Sequence, residues 1–100
     1  MKVPFEFLTL FRERIGAERL ELEVAGEAPG DAPTVLAALQ ALKRAQAGRE
    51  VRLLEGERMA SGLLVFLKGP GGGLTRVLRP AEARIAQGQT VVLSAAMGGG

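Results

Sequence analysis

The segment TVVLSAAMGGG, residues 90–100, ends the chain and decides the predicted fold. It begins with an uncharged, β-branched run that is typical of a buried strand, and it ends, after Ala95, Ala96 and Met97, in three glycines. The stretch Val3–Phe11 is also apolar on more than one face. Strands of this kind suit the centre of a sheet, so we predict that the first and last strands are neighbours.

The first fifty residues predict a hairpin followed by a helix. Val3–Phe11 alternates and predicts one interior strand, Arg12–Glu18 is a polar connector, and Arg19–Val24 alternates as the second strand. After a Gly/Pro-rich loop, Thr34 is the expected N-cap, or Asp31 if the helix starts earlier. Apolar residues at helical spacing then predict a helix that Gly48 ends; they are Val35, Leu36, Leu39 and Leu42.

The second half predicts short strands separated by turns. Its least defined segment is Arg49–Gly62, where Val51, Leu53 and Leu54 could form a short strand. The clearer elements are bounded by glycines: a buried strand at Leu63–Leu67, a turn at Gly69–Gly73, a fifth strand at Leu74–Leu78 and the last strand at Thr90–Ser94.

This order of elements predicts an α+β fold in which one main helix packs across a mixed sheet of four or five strands, a β-grasp arrangement. We expect residues 1–94 to form this domain and residues 95–100 to form a flexible, glycine-rich tail. A chain of 100 residues has room for one such domain.

The composition argues against an enzyme. The chain has no Cys, His, Trp, Tyr or Asn, its only aspartate is Asp31, and its only serines are Ser61 and Ser94. Disulfides, thiolate or imidazole metal sites, and Cys–His or Ser–His–Asp catalysis are therefore excluded. We expect no metal and no bound cofactor.

Charge and hydropathy argue against nucleic-acid and membrane partners. Thirteen basic and eleven acidic residues give a net charge of +2, and the only aromatic residues are four phenylalanines. A nucleic-acid reader usually concentrates its basic charge more strongly and adds stacking aromatics. The longest uncharged stretch, Ile85–Gly100, is too short and too polar for a membrane span, so a cytoplasmic location is expected.

Two further motifs suggest a function less strongly, because each also has a plain structural interpretation. The loop Gly69–Gly73 has no lysine at the position that a phosphate-binding loop requires, and a strand, not a helix, should follow it. A hairpin turn explains it better. Four basic residues that are close in sequence could face a partner or simply be solvated: Lys68, Arg76, Arg79 and Arg84.

The terminal glycines are the most informative feature for function. Because glycine lacks a Cβ atom, such a tail can enter a channel too narrow for any side chain. Its terminal carboxylate is unhindered and open to reaction with ATP and then with sulfur. Residues 95–100 could span roughly 20 Å when extended, far enough to reach into a partner's active site.

The chain resembles the MoaD/ThiS sulfur carriers, which are ubiquitin-like β-grasp proteins. The resemblance rests on the order of elements, the strand Leu63–Leu67, the segment IAQGQTVVL at residues 85–93 and the terminal Gly99-Gly100. It implies that an E1-like adenylating enzyme uses ATP to adenylate Gly100, with Gly98 and Gly99 threading the partner's channel. Sulfur then replaces the adenylate, and the resulting thiocarboxylate serves the large subunit of a sulfur-accepting synthase. The length favours a molybdopterin synthase small subunit, and an apolar face beside the last strand is expected to dock the partner.

The pattern leaves other functions open. The thiocarboxylate could serve thiamine, cysteine or tRNA thiolation instead of molybdopterin synthesis. A ubiquitin-like modifier would join Gly100 to a target lysine through an amide bond. A β-grasp interaction module would have no chemistry at Gly100 at all.

Overall fold

A computed structural model describes residues 1–8, 10–28, 30–47 and 52–95 of the chain. Within them lie seven strands and two helices: β1 (Lys2–Phe7), α1 (Leu10–Ile15), β2 (Arg19–Glu23), α2 (Val35–Ala45), β3 (Leu54–Glu55), β4 (Arg58–Met59), β5 (Leu63–Lys68), β6 (Leu74–Val77) and β7 (Thr90–Ala95).

Five of these strands form one mixed sheet in the order β2-β1-β7-β5-β6. The first and last strands are neighbours at its centre and run parallel, while the other pairs are antiparallel. This confirms the predicted α+β fold with a mixed sheet and one main helix. Strands β3 and β4 form a separate two-stranded hairpin.

The core lies between the sheet and α2. The central strand β1 buries every second residue, Val3, Phe5 and Phe7, and the rings of Phe5 and Phe7 are stacked with centroids 6.2 Å apart. The helix contributes the buried residues Val35, Ala38, Leu39 and Leu42. Burying this apolar surface is the main stabilising contribution to a domain of this size.

The helix begins where the sequence predicts. The hydroxyl oxygen of Thr34 accepts a hydrogen bond from the backbone N–H of Ala37 at 3.1 Å, so Thr34, and not Asp31, is the N-cap. The described helix ends at the C-cap Gln46. The predicted stop at Gly48 lies outside the described residues.

The prediction of one strand over Val3–Phe11 was wrong. The strand ends at Phe7, and residues 10–15 form the helix α1, although the last four of them were assigned to a connector. Phe7, Phe11 and Ile15 are all buried and are spaced by four residues. A spacing of four keeps residues on one side of a strand and also on one side of a helix, so the apolar pattern did not distinguish the two.

The segment before β5 forms a small hairpin that the sequence predicted only in part. Leu54 pairs with Met59, and Leu53, just before the hairpin, is buried in the core. Val51 lies outside the described residues. The last strand extends to Ala95, which pairs with Leu63, so the ordered sheet includes the residue at which the tail was expected to begin.

Candidate functional site at the end of the central strands

The predicted reacting residue Gly100 and its neighbours Gly98 and Gly99 lie outside the described residues. The described part of the site is therefore the end of β7, where Ala95 precedes the tail in the sequence. The surroundings of Ala95 are thus the described structure nearest to these glycines in the sequence.

Strand β7 is hydrogen-bonded to a neighbouring strand on each side. It pairs with β5 over six positions, from Thr90 opposite Lys68 to Ala95 opposite Leu63, and with β1 on its other side. The backbone N–H of Leu8 also donates to the carbonyl of Leu93 at 2.9 Å. The tail thus follows a strand that is fixed on both sides, which gives it a defined point of exit.

A shallow pocket of about 240 Å³ surrounds this exit point. Its walls come from α1, from the turn before β5 and from Ala95, and they are formed by Leu10, Phe11, Arg14, Arg52, Ser61, Gly62, Leu63 and Ala95. The two charged lining residues, Arg14 and Arg52, are both exposed, and Leu10 is 52% exposed.

Sequence reasoning missed both arginines. Arg14 was assigned to a connector because α1 was not recognised, and Arg52 lies in the segment whose structure the sequence left undefined. The four-residue spacing of Phe11 and Ile15 fits a helix and a strand equally, so the apolar pattern held no signal that would have placed Arg14 on a helix.

The face of the sheet opposite α2 carries an apolar patch beside β7. Leu64 and Phe66 on β5 are partly exposed, and Phe66 lies opposite Val92 on β7. Val92 is buried, yet it does not belong to the core cluster under the helix. We call Leu64, Phe66 and Val92 the outer patch; it lies where the sequence predicted an apolar face for a partner.

The outer patch has charged neighbours. The Lys68 ammonium lies 3.3 Å from a carboxylate oxygen of Glu6, and Arg76 is paired in register with Phe66. A surface with an apolar centre and a charged rim is typical of protein interfaces.

The four basic residues that are clustered in sequence do not act as one group. Lys68 and Arg76 lie beside the outer patch, whereas Arg79 pairs with Glu82 at 3.4 Å. Arg84 donates to the backbone carbonyl of Ala32 at 2.9 Å and thereby helps to hold the loop before α2. With the ion pair between Lys68 and Glu6, three of the four basic residues therefore have a local partner.

The glycine-rich loop is a hairpin, as predicted. It joins the antiparallel strands β5 and β6, and the N–H of Gly69 donates to the carbonyl of Gly73 at 2.9 Å. Gly72 has a φ of 91°, a conformation that other residues rarely adopt. No helix follows this loop, so it has no helix N-terminus to bind a phosphate.

The described residues contain no group of three or more His, Cys, Asp or Glu side chains placed to bind a metal ion. None of the helices in this part of the chain is long and apolar enough to cross a bilayer.

Comparison with known proteins gives matches only at the level of structure. No family model matches the chain. No curated protein matches it either. Solved structures do match along almost the whole chain, and they include a small archaeal modifier protein and a BexX/CysO complex.

SAMP1 from Haloferax volcanii, a small archaeal modifier protein, has a TM-score of 0.70 and 17% identity, with both chains fully covered. The Haloferax volcanii HVO 2177 protein, solved in solution, has a TM-score of 0.72 and 24% identity. The alignment covers 100% of this chain and 87% of the HVO 2177 chain. The crystal structure of the BexX/CysO complex from Amycolatopsis orientalis contains a chain with a TM-score of 0.60 and 25% identity. The alignment covers 98% of this chain and 99% of the chain in that complex.

These matches establish the ubiquitin-like β-grasp fold that the sequence predicted. They also show that a protein of this fold forms a complex with a partner protein.

Proposed function

We propose that this protein is a sulfur carrier whose C-terminal carboxylate is activated by a partner enzyme. The single observation that carries the proposal is the diglycine end of the chain, which follows the central strand of a ubiquitin-like β-grasp sheet. The fold holds the base of the tail firmly, while glycines 98–100 carry no side chain that would block a narrow channel.

The proposed chemistry takes place on Gly100 and in the partner's active site. A carboxylate oxygen of Gly100 attacks the α-phosphorus of ATP, and pyrophosphate leaves. A sulfide then attacks the acyl carbon, AMP leaves, and a thiocarboxylate remains. ATP is thus a substrate of the E1-like partner, and the carrier supplies the acyl group and a docking surface.

The outer patch supplies that docking surface in our proposal. Phe66 and Leu64 offer a partly exposed apolar centre next to β7, and Lys68 and Arg76 lie at its edge. Both the adenylating enzyme and the large subunit of the sulfur-accepting synthase would bind there. The synthase that best suits the length of the chain is the one that makes molybdopterin.

The experiment is an intact-mass measurement after incubation with ATP, sulfide and an E1-like enzyme from the same organism. We expect a mass gain equal to the exchange of one oxygen for one sulfur. The control chain lacks both Gly99 and Gly100, so that no diglycine end remains, and it should fold normally but gain no sulfur. Sulfur on the control, or none on the full chain, would refute the proposal.

A ubiquitin-like modifier is the second candidate, and the likeness to a small archaeal modifier protein favours it. A modifier would form an amide between Gly100 and a lysine of the target. Immunoblots of cell extract would then show conjugates of high molecular weight that survive reducing agents and vanish when Gly100 is deleted.

A further inference from the structure

We propose that the two edge strands of the sheet recognise each other in different copies of this chain, so that β6 of one copy pairs with β2 of the next. In the part of the chain that the structure describes, the order β2-β1-β7-β5-β6 leaves β2 and β6 with a neighbour on one side only. A sheet edge of this kind can pair with another strand. The proposal does not depend on chemistry at Gly100 and goes beyond the proposed function.

The outer edge of β2 presents backbone groups at Arg19, Glu21 and Glu23. The N–H of Phe7 donates to the carbonyl of Glu18 at 2.9 Å, so these two residues form a hydrogen-bonded pair of the β1–β2 ladder. Hydrogen-bonded and non-hydrogen-bonded pairs alternate along antiparallel strands. The N–H and C=O groups of Arg19, Glu21 and Glu23 therefore point away from β1.

The outer edge of β6 presents backbone groups at Leu74 and Arg76. The N–H of Gly69 donates to the carbonyl of Gly73 at 2.9 Å, which is a hydrogen-bonded pair that continues the register of β5 and β6. By the same alternation, the N–H and C=O groups of Leu74 and Arg76 point away from β5. Both side chains are exposed, and Leu74 is 59% exposed, so this edge is accessible.

The directions of the two edge strands match. Strand β2 is antiparallel to β1, whereas β6 runs in the same direction as β1 and β7 because β5 is antiparallel to both β7 and β6. A second copy placed beside the first in the same orientation thus brings its β2 antiparallel to β6. When Glu21 lies opposite Arg76, Leu20 lies opposite Val77. Leu20 and Val77 both pack with the core under the helix, so the faces of the joined sheets coincide.

The charges of the two edges are complementary. Residues 58–81, which include β6, contain four basic residues and no acidic one, whereas residues 18–27, which include β2, contain four acidic residues and one basic one. Glu21 and Arg76 are exposed, and neither forms an ion pair with another described residue. Opposite charges across paired strands are stabilising, and like charges are destabilising. Pairing of β6 with β2 is therefore favoured over pairing of either edge with its own kind.

The pairing leaves the rest of the surface uncovered. Because the two contact surfaces differ, each added copy brings a new free edge, and the association continues head to tail. The contact uses the sheet edges only, so the outer patch and the end of β7 stay accessible in every copy. Such an assembly is compatible with the docking surface proposed above.

The test is sedimentation of the full chain over a wide range of concentration. Interference optics suit a chain without tryptophan or tyrosine. The variants are Arg76→Glu and Glu21→Arg, and the control is Arg44→Glu at an exposed position of α2. Far-UV circular dichroism verifies that each variant is folded.

The average mass of the unmodified chain should rise with concentration beyond that of a dimer. Arg76→Glu and Glu21→Arg should each weaken the association about tenfold, because an attractive pair across the strands becomes a repulsive one. The control should associate like the unmodified chain. An equimolar mixture of Arg76→Glu with Glu21→Arg should regain the association, since every contact then joins an acidic to a basic side chain.

A second pair of variants tests the backbone contact. Leu74→Pro removes an N–H that only the neighbouring copy would use, so it should abolish the association, whereas Leu74→Ala keeps this N–H and should largely retain it. Equal association of these two variants would overturn the strand pairing. So would a chain that stays monomeric at every concentration, a dimer that Arg76→Glu leaves unchanged, or a charge-swapped mixture that stays dissociated. None of these results bears on sulfur transfer to Gly100, so the proposed function is tested separately.

Discussion

The anchoring of the tail depends on the packing of β7, and Leu93→Ala tests it. Leu93 is fully buried at the centre of the sheet and lies opposite Phe7 on one side and Val65 on the other. Truncating a leucine in such a core costs about 3–5 kcal/mol in the free energy of unfolding, because the lost transfer energy adds to that of the cavity left behind. A domain of this size has a free energy of unfolding of only about 5–15 kcal/mol, so this substitution removes a large share of its stability.

The matched control is Leu78→Ala, which makes the same chemical change at a side chain that is 70% exposed. Its cost should stay below about 0.5 kcal/mol. Since the chain has no tryptophan or tyrosine, urea unfolding is best followed by far-UV circular dichroism. The urea concentration at the midpoint of unfolding should fall sharply for Leu93→Ala and barely change for Leu78→Ala. Equal losses for the two variants, or a loss below about 1 kcal/mol at Leu93, would refute the central position of β7.

Two further predictions concern the loop and cap that precede α2. Thr34→Ala removes the N-cap acceptor of Ala37 and should lower the free energy of unfolding by about 1 kcal/mol, whereas the exposed Thr75→Ala should change it little. A Cβ atom at Gly26 would lie 2.3 Å from the backbone oxygen of Asp31, so Gly26→Ala should cost about 1–3 kcal/mol. Gly71→Ala, where a Cβ meets nothing within 4 Å, is its control in the same urea titration, and an equal cost at both glycines would contradict the close approach.

The sequence predicted the fold well where the apolar period was unambiguous. The compact apolar run Leu63–Leu67 and the β-branched run before the tail placed β5 and β7 correctly, and Thr34 marked the start of α2. Pairing of the first and last strands followed from their apolar character on both faces, since only central strands are covered on both sides.

The candidate site was less predictable because it is assembled from distant segments. The tail motif is local and could be recognised directly, but the pocket that includes Ala95 joins α1 to Arg52, about forty positions later in the chain. The helix α1 was hidden by a four-residue spacing that strand and helix share. Arg52 lines the pocket that includes Ala95, and its neighbour Leu53 is buried in the core.

The most direct test of the central claim uses the absence of cysteine. Because the chain has no thiol, a thiol-alkylating reagent can label it only at a thiocarboxylate. The protein should be purified from cells that make it, alkylated and cleaved after Arg84, and the fragment that ends in Gly100 should be analysed by mass spectrometry. A sulfur carrier predicts one alkyl group on this fragment, located at Gly100 and absent when the E1-like enzyme is deleted. A fragment that always carries an unmodified carboxylate, or one joined to a lysine of another protein, would contradict the account.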